Sequence, residues 1–152
     1  MTTYDKTKIF HEVFGHPVEK VATVSDEKTR LLRVNLIAEE LYELAEASGI
    51  QITIQVGSRD TSIRTYYSPG DNKPDIIGIA DALADLDVVV NGGFLVHGLP
   101  AEALAQEVFD SNMSKLDENM NPIYNNNGKI QKGPNYRESN IRGVLDKARR
   151  NI

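Results

Sequence analysis

Residues 76–90 constrain the fold more than any other part of this sequence. The stretch is apolar almost throughout, and it reads as a helix opened by Pro74 or Asp75 and reaching the region of Asn91 to His97. A helix that is apolar around its whole circumference needs neighbours on every side. The chain must therefore build a helical bundle around it. The apolar surface of residues 76–90 also exceeds what a four-helix monomer of this length covers, and the common symmetric remedy is a twofold dimer. Within 79–86, two acids interrupt the run. Asp81 and Asp85 stand four residues apart, on one helical face, among Ile, Ala, Leu and Val.

The other segments read mostly as helices too. Residues 7–14 form a short one, ended by Gly15 and Pro17. Ser25, followed by Asp26 and Glu27, supplies a polar cap and early acids for a helix running to Ser48 and Gly49. Its apolar positions include Leu31, Leu32, Leu36, Leu41 and Leu44. Pro100 suits the first turn of another helix, which carries Leu104, Val108 and Phe109 and ends near Ser114. A last helix covers residues 137–149. The expected fold is all-α: an antiparallel bundle of four-helix type, in one domain spanning residues 1–152.

Two segments depart from helix. In 51–68, Ile52, Ile54 and Val56 alternate with polar residues, and Ile63, Thr65 and Tyr67 do so again after Gly57-Ser58-Arg59-Asp60. This predicts a small β-hairpin inserted between two helices, with an irregular loop as the alternative. In 122–136, Asn125-Asn126-Asn127-Gly128 reads as a turn between Ile123-Tyr124 and Lys129-Ile130.

Composition excludes several classes of function. The 152 residues suffice for one domain with a real core, here aliphatic, because there is no Trp and only four Phe. A net charge of −5 argues against binding a nucleic-acid polymer. With no cysteine there is neither a disulfide framework nor a thiolate nucleophile or metal ligand. No run reaches membrane-spanning length and no signal peptide opens the chain, so a cytoplasmic protein without membrane partners is expected. The glycine pair in Asn91-Gly92-Gly93 lacks the GK[ST] ending of a phosphate-binding loop. His11, His16 and His97 are scattered near helix ends and turns, and read as structural.

Glu39-Glu40-Leu41-Tyr42-Glu43 packs three carboxylates into little more than one helical turn. Acids so clustered repel one another and are costly to bury. They form either a solvated acidic face or, with Asp81 and Asp85, a site for a hard divalent cation such as Mg²⁺ or Mn²⁺. Further along come Ser111-Asn112-Met113-Ser114-Lys115 and Lys132-Gly133-Pro134-Asn135-Tyr136. Singly these read as surface decoration. Beside a cation site they add lysines for phosphate oxygens, and an Asn and a Tyr for a base or sugar.

Those four blocks, in this order, resemble the MazG-like all-α nucleoside triphosphate pyrophosphatases. They are most similar to the small phage and bacterial proteins likened to phosphoribosyl-ATP pyrophosphohydrolase. Phe10-His11-Glu12-Val13-Phe14-Gly15-His16-Pro17 is similar to the opening of such proteins, so the likeness runs from about His11 to Tyr136. It implies a helical bundle assembled as a homodimer or homotetramer, dependence on Mg²⁺ or Mn²⁺, and cleavage of a nucleoside triphosphate between its α and β phosphorus atoms. The family pattern is EExxE followed by ExxD. Here the second half departs, because Gly78 lies three residues before Asp81 and Ala82 three before Asp85.

On this reading Glu40, Glu43, Asp81 and Asp85 are the expected metal ligands, and Glu39 is the expected general base. Lys115 and Lys132 would meet phosphates, Asn112 would orient the nucleotide, and Tyr136 would stack on it or pack against the bundle. Two rivals remain: a non-enzymatic helical interaction module, and a hydrolase acting on phosphoribosyl-ATP or nucleoside diphosphates.

Overall fold

The computed structural model describes residues 1–56, 61–67 and 73–150, with side chains in the hairpin described only near its base. The Gly57-Ser58-Arg59-Asp60 connection expected from the sequence lies outside the described residues. Five helices and one hairpin follow in the order α1 (Thr3–Phe14), α2 (Glu27–Ala47), β1 (Ile50–Val56), β2 (Thr61–Tyr67), α3 (Ile76–Val96), α4 (Ala101–Met113) and α5 (Ile141–Arg150). The all-α class with a β-hairpin insertion is as the sequence predicts.

Local chemistry accounts for the helix boundaries. Helix α1 starts before the expected Thr7 because Thr2 and Asp5 form a reciprocal capping box. Asp26 caps α2 by accepting from the Thr29 amide at 2.9 Å, and this holds its carboxyl below the usual carboxylate range. Helix α5 begins later than residue 137. The Arg137 amide donates to Ser114 Oγ at 3.0 Å, which ties it into a loop. Asn140 then accepts from the Gly143 amide at 2.9 Å and opens the helix.

The described residues fall into two compact units, Met1–Val18 with Val24–Val96, and Glu19–Thr23 with His97–Ile152. In the first, α2 and α3 run antiparallel. The end of α2 meets the start of α3, where the Asp75 amide donates to the Ala47 carbonyl at 2.8 Å. A Cβ built on Gly78 would lie 3.1 Å from that of Ala47, while at the opposite end Gly92 abuts the Arg33 guanidinium. Arg33 and Ala47 lie seven residues before and after Glu40, and Gly92 and Gly78 lie seven after and before Asp85. The two helices thus share one seven-residue register, two turns at a time. Helix α1 also packs on α3.

The first unit's core is small: Ala45, Ala82, Leu95 and Val96 are its buried apolar side chains among the described residues. Much apolar surface stays open. Val13, Phe14, Leu31, Val34, Ile76 and Ile77 are each more than 60% exposed. The hairpin pairs Ile50 with Tyr67, Ile52 with Thr65 and Ile54 with Ile63, all in antiparallel register.

In the second unit α4 packs on α5. Glu107 of α4 accepts from the Arg137 guanidinium and from the Asn140 amide, fixing the approach to α5. The 19–23 segment joins this unit through the Thr23 amide, which donates to the His97 carbonyl at 2.9 Å. The turn expected at Asn125-Asn126-Asn127-Gly128 is present: Asn125 Oδ1 accepts from the Asn127 and Lys129 amides, and Tyr124 bridges to Ile130.

Candidate active site

The five predicted acids come together midway along the α2–α3 pair. Glu39, Glu40 and Glu43 ride on α2, with Asp81 and Asp85 on the facing stretch of α3. Glu40 is their centre. Its carboxyl is half-buried, and its Oε2 is enclosed with no hydrogen-bond partner among the described residues. Burial raises its pKa first, and the charges of Glu43, Asp85, Glu39 and Asp81 raise it further. The remaining four acids are exposed. All four act on one carboxylate whose inner oxygen no described residue satisfies.

A buried, unpartnered carboxylate oxygen is expensive, and like charges around it add to the cost. The donor set is all oxygen, and a hard divalent cation takes oxygen ligands. Among the described residues, no three acidic or histidine side chains converge closely enough to ligate a cation as they stand. The residues fit a metal in the chemistry of their donor atoms, and the enclosed Glu40 Oε2 is the oxygen that such a cation would satisfy.

The departure at Gly78 has a packing reason. A side chain there would press on Ala47 of α2 at 3.1 Å, so glycine at this position serves the helix contact.

Asn112, Lys115, Lys132 and Tyr136 all belong to the second unit, where the fold gathers them in two pairs. Lys115 Nζ donates to Asn112 Oδ1 at 2.6 Å. Lys132 Nζ stands 4.3 Å from the centre of the Tyr136 ring, a cation–π contact. The Gly133 amide donates to the Lys115 carbonyl at 3.0 Å, folding the 132–136 segment back against the end of α4.

Sequence reasoning missed one group. Arg33 of α2 is buried, and so is His11 of α1, and both lie against Gly92 of α3. In the sequence His11 reads as structural, and Arg33 stands among ordinary helix residues. The available signal was spacing: Arg33 precedes Glu40 by two helical turns and so shares its face.

No curated protein matches the chain. The solved structure of a protein from Exiguobacterium sp. 255-15, provisionally described as an NTP pyrophosphohydrolase, aligns with 99% of this chain and 95% of its own length, at 20% identity and a TM-score of 0.44. The phosphoribosyl-ATP pyrophosphohydrolase family matches residues 7–112, a span that takes in His11, Arg33, all five acids and Asn112. The chain belongs to the phosphoribosyl-ATP pyrophosphohydrolase family, within the MazG-like superfamily.

Proposed function

We propose that the protein hydrolyses a (deoxy)nucleoside triphosphate to the monophosphate and pyrophosphate, using Mg²⁺ or Mn²⁺. The observation that carries this reading is the enclosed, unpartnered Oε2 of Glu40 amid four further carboxylates. A triphosphate brings about four negative charges of its own, so it approaches such a site only with cations between. Glu40, Glu43, Asp81 and Asp85 would hold the metal, which when bound lowers the pKa of a coordinated water toward that of a usable nucleophile. Glu39 is one residue off the Glu40 and Glu43 face and is exposed, placed to accept a proton from water as a general base. Lys115 and Lys132 would hold phosphate oxygens, each having N–H donors to spare beside Asn112 and Tyr136. Asn112 would orient the nucleotide, and Tyr136 would stack on it or pack against the bundle.

The open apolar surface of α1, α2 and α3 favours assembly as a homodimer, or a homotetramer, over a monomer. A second substrate reading has one observation in its favour: the matching family is described by its action on phosphoribosyl-ATP.

The test is incubation with a panel of (deoxy)nucleoside triphosphates and phosphoribosyl-ATP in Mg²⁺, with products resolved by chromatography. Monophosphate and pyrophosphate should form from at least one triphosphate, cease in EDTA and return with Mg²⁺ or Mn²⁺. Orthophosphate as the sole inorganic product, or turnover indifferent to EDTA, would refute the reading. Within that assay Glu39→Gln should lower kcat with metal affinity retained, whereas Glu43→Gln should lower both.

A further inference from the structure

We propose that the Arg33 guanidinium, in the room left by the missing side chain of Gly92, forms an oxyanion subsite that takes a phosphate group of the substrate. The proposal rests on the nucleotide-hydrolysis reading for the identity of its ligand, but its geometry stands apart from the acids.

Arg33 is 7% exposed, and its Nε is enclosed without a partner. Among the described residues its guanidinium forms neither an ion pair nor a hydrogen bond. A guanidinium does not shed its charge at any accessible pH. An uncompensated cation in the interior is strongly destabilising, and structural arginines there are ordinarily paired with carboxylates or carbonyls. Arg33 is therefore held ready for a negative charge that the described residues do not supply.

Two neighbours shape the place. A Cβ on Gly92 would come within 2.5 Å of Arg33 Nη1 and 3.1 Å of His11 Nε2, so glycine there leaves the room that both nitrogens share. His11 is 1% exposed, and its Nδ1 lies 3.0 Å from the Pro17 carbonyl. A carbonyl only accepts, so Nδ1 carries a proton. That bond fixes the imidazole plane and leaves Nε2 a lone pair on the guanidinium side of Gly92, so the neutral ring faces Arg33 and does not itself donate to an anion.

Location ties this group to the acids. Arg33 precedes Glu40 by seven residues on α2, and Gly92 follows Asp85 by seven on α3. The cation thus lies on the same α2–α3 line as the carboxylates, about 10 Å away along the helix axis at 1.5 Å per residue. Cation-bearing acids at one point and a bare arginine further along suit a ligand with more than one anionic group. The phosphate at Arg33 belongs either to the departing pyrophosphate or to the nucleoside monophosphate.

Metal-free binding separates the two. Inorganic pyrophosphate and a nucleoside monophosphate are titrated calorimetrically, in EDTA, into the wild-type protein and into Arg33→Gln and Arg33→Lys. Wild type should bind one of the two ligands, and the ligand bound identifies the phosphate. Arg33→Gln should weaken it tenfold or more, with Arg33→Lys intermediate because a point charge replaces the two-pronged donor. Without ligand, Arg33→Gln should melt no lower than wild type, since a buried unpaired charge has been removed. A merely structural arginine predicts the opposite, a clear fall in melting temperature.

Gly92→Ala gives a second route, displacing the guanidinium while leaving the charge, and should cost similar affinity. Equal binding by wild type and Arg33→Gln, or no metal-free binding of either ligand by wild type, would overturn the subsite. Hydrolysis of the triphosphate panel by wild type is scored separately. Turnover without metal-free binding removes only the subsite, and binding without turnover removes only the reaction.

Discussion

Neutralising Glu40 should make the protein more stable and, at the same time, insensitive to divalent cations. In Glu40→Gln the side chain keeps its shape, and an amide N–H₂ replaces a carboxylate oxygen. Burial and the charges of four acids act on this position, and the one i,i+3 pair among them, with Glu43, costs about 0.2–0.5 kcal/mol. Solvent screens the other three, so the total relief, burial included, is on the order of 1 kcal/mol. The amide also donates toward the surrounding carboxylates, where the buried Oε2 had no partner. For a chain of this size 1 kcal/mol corresponds to a rise of about 2–4 °C in Tm. Thermal unfolding in EDTA at pH 7.5 and low salt should show that rise, and it should shrink in about 0.5 M salt as screening shortens the reach of the charges. Adding Mg²⁺ should then raise the Tm of the wild type and leave the variant where it was. A variant that melts lower than wild type in EDTA, or one that gains as much from Mg²⁺, would refute the placement of Glu40 at the centre of a cation site.

Leu95 is fully buried in α3, so Leu95→Ala should cost about 2–5 kcal/mol and lower Tm by roughly 5–15 °C, measurable by calorimetry. Glu107 has its pKa held below the ordinary 4.5 by the Arg137 guanidinium and then by the Asn140 amide. A depressed folded value means that its stabilisation is complete above the unfolded pKa and disappears as pH falls through the folded one. Glu107→Gln should therefore melt below wild type at pH 7, with the gap closing in acid below 4.5. Lys115→Ala should depress kcat/KM alike for every base, because phosphates are common to all, whereas Asn112→Ala should change the ratio between bases. Light scattering at micromolar concentration should give at least a dimer mass, and a monomer would show that the apolar faces of α1 to α3 tolerate water.

Helix periodicity and punctuation carried most of the fold. Asp26, Gly15, Pro100 and the apolar run of α3 each act through neighbours in sequence, and the hairpin shows in the alternation of Ile52 and Ile54. The acids were legible for the same reason, since clustering within a turn is visible in one dimension. What escaped depends on contacts between elements. The Arg33 group draws one residue each from α1, α2 and α3, and its meaning comes from the carboxylate that is not beside it. The late start of α5 was hidden likewise, because Ser114 and Glu107 hold residues 137–140 from more than twenty positions away.

The shared register of α2 and α3 bears on which changes of length the chain can absorb. One residue added within either helix turns everything beyond it by about 100°, so the acids, Arg33 and the glycine contacts would all lose their counterparts together. The connection between the two helices is closed at its base, where Ala47 meets both the Asp75 amide and Gly78, and a loop closed in this way adds little entropy cost when it lengthens. Within this family, insertions and deletions should therefore collect between these two helices and be excluded from them, leaving the hairpin segment as the place where new specificity can be grafted without disturbing the chemistry.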